Sequence, residues 1–263
     1  MGGALAAGGL GLTGSVLALI FTFLAGGNIT DVIGQLDNLP VQNQRNINTG
    51  QFEGEDEYEQ FASAVLGSNN EMWTDLFSRS GKTYSPPKLV LFRDATRSSC
   101  GAATSEVGPH YCPLDETIYL DETFFDELTR RFGAQGGDVA EAYVIAHETA
   151  HHAQNELNIM DQVQSFSQTN PEGANELSVK LELQADCFAG LWANSIKDLD
   201  IFEPGEIQEA IDAAAAVGDD RIQRSTTGRV NPESWTHGSS EQRVSWFNRG
   251  YEQGTFSVCD TFR

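Results

Sequence analysis

Two histidines and a glutamate in one short stretch are the first residues of this chain with a chemistry of their own. His147, Glu148 and His151 stand as H-E-x-x-H within the run Tyr143-Val144-Ile145-Ala146-His147-Glu148-Thr149-Ala150-His151-His152-Ala153-Gln154. Residues four apart share one face of an α-helix, so both imidazoles can offer a nitrogen to a single cation. Glu148 falls beside them, where a carboxylate can hold a metal-bound water and take its proton. A hydrolytic zinc site of this kind uses three protein donors and keeps the fourth position for water. The third donor is expected in Glu182-Leu183-Gln184-Ala185-Asp186, where Glu182 and Asp186 again share a helical face. Glu182 would bind the metal. Asp186 would accept the outer N–H of one histidine and set its tautomer. His152, about 100° around the helix from His151, is read as structural or supporting and not as a ligand.

These residues need elements to hold them. Ala140, Glu141, Ala142, Ala146, Ala150 and Ala153 favour a helix, no Pro or Gly interrupts it, and Asp138 after Gly136-Gly137 is the expected N-cap. Residues 158–173 read as a connector, with Pro171 and Gly173 marking a loop before the Glu182 helix. Beyond it Phe188, Leu191, Trp192 and Ile196 read as core, and residues 206–217 as a further helix with an Ala-rich face. Upstream, Tyr58, Phe61, Ala62, Val65 and Leu66, then Met72, Trp73, Leu76 and Phe77, fit an interrupted helix pair facing the core. Leu89-Val90-Leu91-Phe92 and Thr117-Ile118-Tyr119-Leu120 read as strands. Residues 123–132, with Phe124, Phe125, Leu128 and Phe132, read as an amphipathic helix.

Further stretches carry a resemblance. They are Phe92-Arg93-Asp94, Ser99-Cys100-Gly101, Gly108-Pro109-His110-Tyr111-Cys112-Pro113, Ile118-Tyr119-Leu120-Asp121 and Thr236-His237-Gly238-Ser239-Ser240-Glu241-Gln242-Arg243. With the two metal motifs they make the chain, from about residue 88 to 259, resemble a bacterial family of neutral zinc metallopeptidases with an N-terminal hydrophobic segment. The H-E-x-x-H…E-x-x-x-D plan is similar to that of thermolysin-like and CAAX-processing zinc peptidases. The resemblance implies an α+β, zincin-like domain, mostly helical with a small sheet beside the active-site helix. In such peptidases an edge strand receives extended substrate through backbone hydrogen bonds; the segment near Tyr119 is the candidate edge, with plain sheet membership the commoner role for any single residue there. The T-H-x-x-x-x-x-R arrangement is similar to one late in CAAX-processing peptidases. It implies that His237 hydrogen-bonds the tetrahedral intermediate and that Arg243 supports the site through a carboxylate. Read from its neighbours alone, His237 is equally a residue flanking a helix capped in Ser-x-x-Gln fashion. His110 reads as structural.

The 38 acidic residues against 16 basic ones leave a net charge of −22. That argues against a nucleic-acid binder, which needs clustered Lys and Arg to neutralise phosphates. It also argues against electrostatic docking on an anionic membrane. Four cysteines, Cys100, Cys112, Cys187 and Cys259, allow three complete pairings and lack zinc-finger spacing. Cys100 and Cys112 flank a loop suited to a local bridge, and Cys259 could pin the C-terminal tail to the helix of Cys187. Paired, they place the domain in an oxidising compartment; the other reading is four buried thiols. Residues 4–27 carry no charge, and roughly 20 apolar residues span a bilayer. The segment reads as a signal-anchor over residues 1–27, or as a signal peptide cut near Ala25. No basic residue precedes it. Residues 28–56 are polar and read as a linker, leaving 57–263 as the metallopeptidase domain.

The resulting expectation is a membrane-tethered, extracytoplasmic enzyme, with a secreted or periplasmic form as the alternative. It would be a Zn2+-dependent endopeptidase acting on a peptide or protein substrate through a zinc-bound water activated by Glu148. Two rivals are a catalytically silent, zinc-stabilised scaffold or regulator and a metal-dependent hydrolase of non-peptide bonds. A purely structural site needs no base and closes its fourth position with Cys or His, so Glu148 speaks against the first.

Overall fold

The computed structural model describes residues 57–93, 95–104, 107–124, 129–130, 137–199, 201–203 and 205–263. The expected leader and linker, residues 1–56, lie outside these, as does most of the helix expected at 123–132. Among the described residues no helix is long and apolar enough to cross a membrane. The architecture is α+β, mostly helical with a small sheet. In order it runs α1 (Glu57–Arg79), β1 (Lys88–Phe92), β2 (Ala95–Ser98), β3 (Gly101–Thr104), β4 (His110–Cys112), β5 (Thr117–Asp121), α2 (Asp138–Glu156) and α3 (Ile159–Thr169). It continues through α4 (Ala174–Ile196), α5 (Ile207–Ala216), α6 (Asp219–Thr227) and α7 (Ser240–Gln253).

The rest is laid around α2. Between Val139 and Gln154 every residue but Glu141 is buried, so this helix has almost no solvent face. Ala140, Ala142, Ala146, Ala150 and Ala153 keep its surface small enough for α1, α4 and α5 to pack on it, with β4 and β5 beside it. Asp138 is not the N-cap. Gly137 takes that place at φ 116°, no side chain caps from within the helix, and Asp138 becomes the first helical residue, where its charge suits the dipole. The Glu209 carboxylate on α5 receives the Val139 N–H, so the cap comes from a distant element that local sequence does not reveal.

α1 is one helix, not an interrupted pair. Through Gly67-Ser68-Asn69-Asn70, residues of weak helix propensity, Ser68 Oγ and Asn69 Nδ2 both fold back onto the Val65 carbonyl, at 2.8 and 2.9 Å. Trp192 on α4 donates to Ser68 Oγ at 2.9 Å, and packing overrides weak local propensity. Residues 158–173 likewise are not a loop. Asn158 turns the chain at φ 62°, α3 follows with Ile159, Met160, Val163 and Phe166 along one side, and Pro171–Gly173 forms a 3-10 turn.

β1, β5 and β4 form one sheet, β1 parallel to β5 (Leu89 opposite Ile118) and β4 antiparallel to it (Tyr111 opposite Ile118). β2 and β3 form a separate hairpin. Tyr119 therefore does not sit on an edge. It lies in the central strand, all five of whose residues are buried, and its ring stacks with that of His110 at 5.3 Å. The edge nearest α2 is β4, whose Tyr111 hydroxyl meets His152 and Asn155 on that helix.

α4 and α7 cross at two glycines. A Cβ on Gly190 would overlap the Phe247 carbonyl and one on Gly250 the Cys187 carbonyl, so only glycine lets these backbones approach. Both bridges are formed, Cys100–Cys112 at 2.01 Å and Cys187–Cys259 at 2.03 Å, and no cysteine is free. The second clasps the C-terminal turn Phe256–Cys259 to α4.

Candidate metal centre

His147 and His151 project from one face of α2 towards Glu182 on α4. His147 Nε2 lies 3.2 Å from Glu182 Oε2, and His151 Nε2 lies 3.4 Å from Glu182 Oε1. The three donor atoms fall within 4.8 Å of one another, and the two rings stand nearly perpendicular, at 89°. The side chains are buried but not sealed, at 8, 11 and 17% exposure. Glu148 is buried on α2 next to His147.

Whether these residues suit a metal ion turns on the nitrogens that face away. His147 Nδ1 meets Asp186 Oδ1 at 2.9 Å, and His151 Nδ1 meets Gln154 Oε1 at 2.8 Å. Both partners are acceptors, so each Nδ1 carries its hydrogen, which leaves each Nε2 as the atom that a cation would take on displacing any proton there. The donor set fits a divalent cation of the zinc type, two imidazoles and one carboxylate.

Asp186 is fully buried and fully engaged. Besides His147 it accepts the Tyr143 hydroxyl at 2.6 Å, Arg243 Nε at 2.7 Å and Arg243 Nη2 at 2.9 Å. Burial by itself would raise its carboxyl, but the charges of Arg243 and His147 and their hydrogen bonds hold it below the usual range. Glu182 is held well below its usual value; burial opposes this, and His151, His147 and the charge of His237 prevail. For His147, burial would lower the imidazole, yet Asp186 and Glu182 hold it at about 10. The pocket thus favours positive charge, which a proton or a metal ion can supply.

His237 sits in the bend before α7, its side chain 41% exposed, and the charge of Glu182 is felt at its ring. Its Nδ1 lies 3.2 Å from Asp219 Oδ1, while Asp219 Oδ2 accepts the backbone N–H groups of Thr236, His237 and Gly238 at 2.8, 2.7 and 3.0 Å. His237 flanks a helix with a Ser239–Gln242 capping box, as its neighbours in sequence imply. His152 and His110 lie elsewhere: His152 is spent on Tyr111 Oη at 3.0 Å and the Ser85 carbonyl at 2.6 Å.

The chain matches a family model described as "Putative neutral zinc metallopeptidase" over residues 1–262. It belongs to this family. Among relatives, the uncharacterized protein YpfJ of Escherichia coli (strain K12) is 44% identical over 250 residues, covering 95% of this chain and 86% of that protein. The uncharacterized proteins Mb2605 of Mycobacterium bovis and Rv2575 of Mycobacterium tuberculosis are each 49% identical over 189 residues, 68% of this chain and 63% of theirs. No solved structure matches.

Four residues that sequence reasoning did not assign complete this metallopeptidase-family site: Tyr143, Gln154, Gln184 and Asp219. Tyr143 could have been found, since it precedes His147 by one turn on the same face. Gln154 carries a like signal, three residues after His151 on the same helix, whereas Gln184 and Asp219 carry none. Asp219 lies far in sequence from both the helix motif and Glu182, and an acidic residue after a glycine is ordinary at a helix start.

Proposed function

We propose that the protein is a zinc-dependent endopeptidase, with His147, His151 and Glu182 as the metal ligands. The observation that carries this is the pairing of both outer Nδ1 atoms with acceptors while both Nε2 atoms converge on Glu182, with Glu148 alongside. Bound there, zinc would lower the pKa of a coordinated water and polarise the scissile carbonyl. Glu148 takes a proton from the attacking water and passes it to the leaving amine. His237, oriented by Asp219, donates a hydrogen bond to the developing oxyanion. Burial would lower the His237 imidazole, but Asp219 and the charge of Glu182 raise it, which favours the donor form. Arg243 and Tyr143 keep Asp186 in place behind His147. We read the domain as zincin-like and as extracytoplasmic, because both bridges belong to an oxidising compartment.

The test is metal analysis of the purified protein coupled to cleavage of an unbiased peptide pool, with and without chelator. One equivalent of zinc and chelator-sensitive cleavage are the expected result. Glu148→Gln should keep its zinc and lose about 100-fold or more in rate. A parent protein that holds zinc yet cleaves nothing would favour the silent scaffold instead.

A further inference from the structure

The amide chain behind His151 has a fixed polarity. Gln154 Nε2 donates to the Leu181 carbonyl at 2.8 Å, and Gln184 Nε2 donates to the Cys259 carbonyl at 3.0 Å. A backbone carbonyl only accepts, so neither amide can be turned around. Gln154 Oε1 is thereby presented to His151 Nδ1, and Gln184 Oε1 accepts the second N–H of Gln154 at 3.1 Å. His151, Gln154, Gln184 and Cys259 are each 9% exposed or less, which leaves little room for water to substitute. The chain thus runs from the tail carbonyl through two amides to the imidazole, and it ends by leaving the His151 lone pair on Nε2.

The far end of this chain is held covalently. Cys259 closes a 3-10 turn outside the main helices, and its bridge to Cys187 joins residues 72 apart in sequence. Thr261 Oγ1, donating to the Lys180 carbonyl at 2.6 Å, fixes the tail on the same helix. Gln184, Asp186 and Cys187 are neighbours on α4, so one turn of that helix holds the partner of His147, the clasp of the tail and the relay to His151.

We infer that Gln184 and the disulfide-held carbonyl of Cys259 are positioning elements for His151, so that metal affinity is coupled to the Cys187–Cys259 bridge. With the bridge open the turn can move away and Gln184 loses its fixed acceptor. Its amide then reverses or leaves, Gln154 is no longer aligned, and His151 gains the tautomer that carries hydrogen on Nε2 and cannot bind a cation. The inference rests on the metal-site reading and is independent of peptide hydrolysis.

The experiment is zinc competition with a chromophoric chelator on the full chain, comparing the parent with Gln184→Met and with Cys187→Ala/Cys259→Ala. Zinc affinity should fall roughly tenfold in Gln184→Met and about 3- to 10-fold in the cysteine pair. Side-chain 15N spectra add a readout that a merely structural role would not move. The His151 signals should change in both variants, while those of His147, held by Asp186, keep the Nδ1–H pattern. If Gln184→Met does not fold, Gln184→Glu keeps the acceptor for Gln154, loses the donor to Cys259 and reads the same link. Folded variants that bind zinc within about twofold of the parent, with an unchanged His151 signature, overturn the inference. A parent that binds no zinc overturns the metal-site reading itself.

Discussion

The two imidazoles of the centre are supported in opposite ways. Behind His147 stands a charged cluster, Asp186 gripped by Arg243 and Tyr143, with contributions from α2, α4 and α7. Behind His151 stands a neutral one, Gln154 and Gln184 ending on backbone carbonyls. A buried charge must be compensated in full, so the His147 side is unforgiving of any single loss. A neutral amide chain costs less to break, yet each link is directional, so it sets orientation more than stability. The same candidate centre therefore combines one imidazole fixed by electrostatics with one fixed by hydrogen-bond polarity.

The largest expected effect comes from removing one charge of the pair. Arg243→Met leaves Asp186 buried without its cation and should destabilise the fold by about 3–5 kcal/mol, read from denaturant midpoints. Adding Asp186→Leu should recover part of that loss, since a pair replaced by apolar groups leaves no orphan charge. If the double variant is no better than Arg243→Met, the buried-charge account of the His147 side fails. Gln154→Met, on the neutral side, should cost only about 1–3 kcal/mol by the same measurement. Equal losses for Arg243→Met and Gln154→Met would erase the contrast.

Metal affinity sharpens the comparison further. Asp186→Asn should weaken zinc binding by about 10- to 100-fold, because the amide is a poorer partner for His147 Nδ1–H and for Arg243. The smallest effect is expected at the flank of the site, where the buried Asp219 pairs with the partly exposed His237. Burial would raise Asp219, but His237 and the backbone N–H groups hold it low, so its contribution is present above the ordinary carboxylate range and fades as pH falls. His237 is held high, so its contribution is present below the ordinary imidazole range and is lost as pH rises through its raised value. The pair should thus stabilise most in the mildly acidic window between them. Melting temperature against pH should show that rise in the parent and a flatter curve in Asp219→Asn.

Much of the centre was legible because its information is local. H-E-x-x-H and E-x-x-x-D are statements about one turn of helix, and a helix turns residue spacing into a shared face whatever surrounds it. The same holds for the Ser239–Gln242 cap and for the two apolar runs that became β1 and β5. The errors came where local sequence was neutral or misleading. The Gly67-Ser68-Asn69-Asn70 segment has poor helix propensity, and only back-bonding to Val65 and the reach of Trp192 keep α1 whole. Tyr119 looked like an edge residue, but strand order is a long-range property, and β4 took that place.

From the sequence alone came the candidate donors His147, His151 and Glu182, the candidate base Glu148 beside them, and cysteines placed for a local bridge and a tail clasp. The three-dimensional fold alone decided that α2 and α4 converge, that Asp186 meets Arg243, and that Asp219 reaches His237. It also decided that a tail carbonyl terminates the chain behind His151. The reason is geometric: periodicity says which side chains share a face, but only packing says which faces meet, and buried polar groups must find partners wherever packing leaves them.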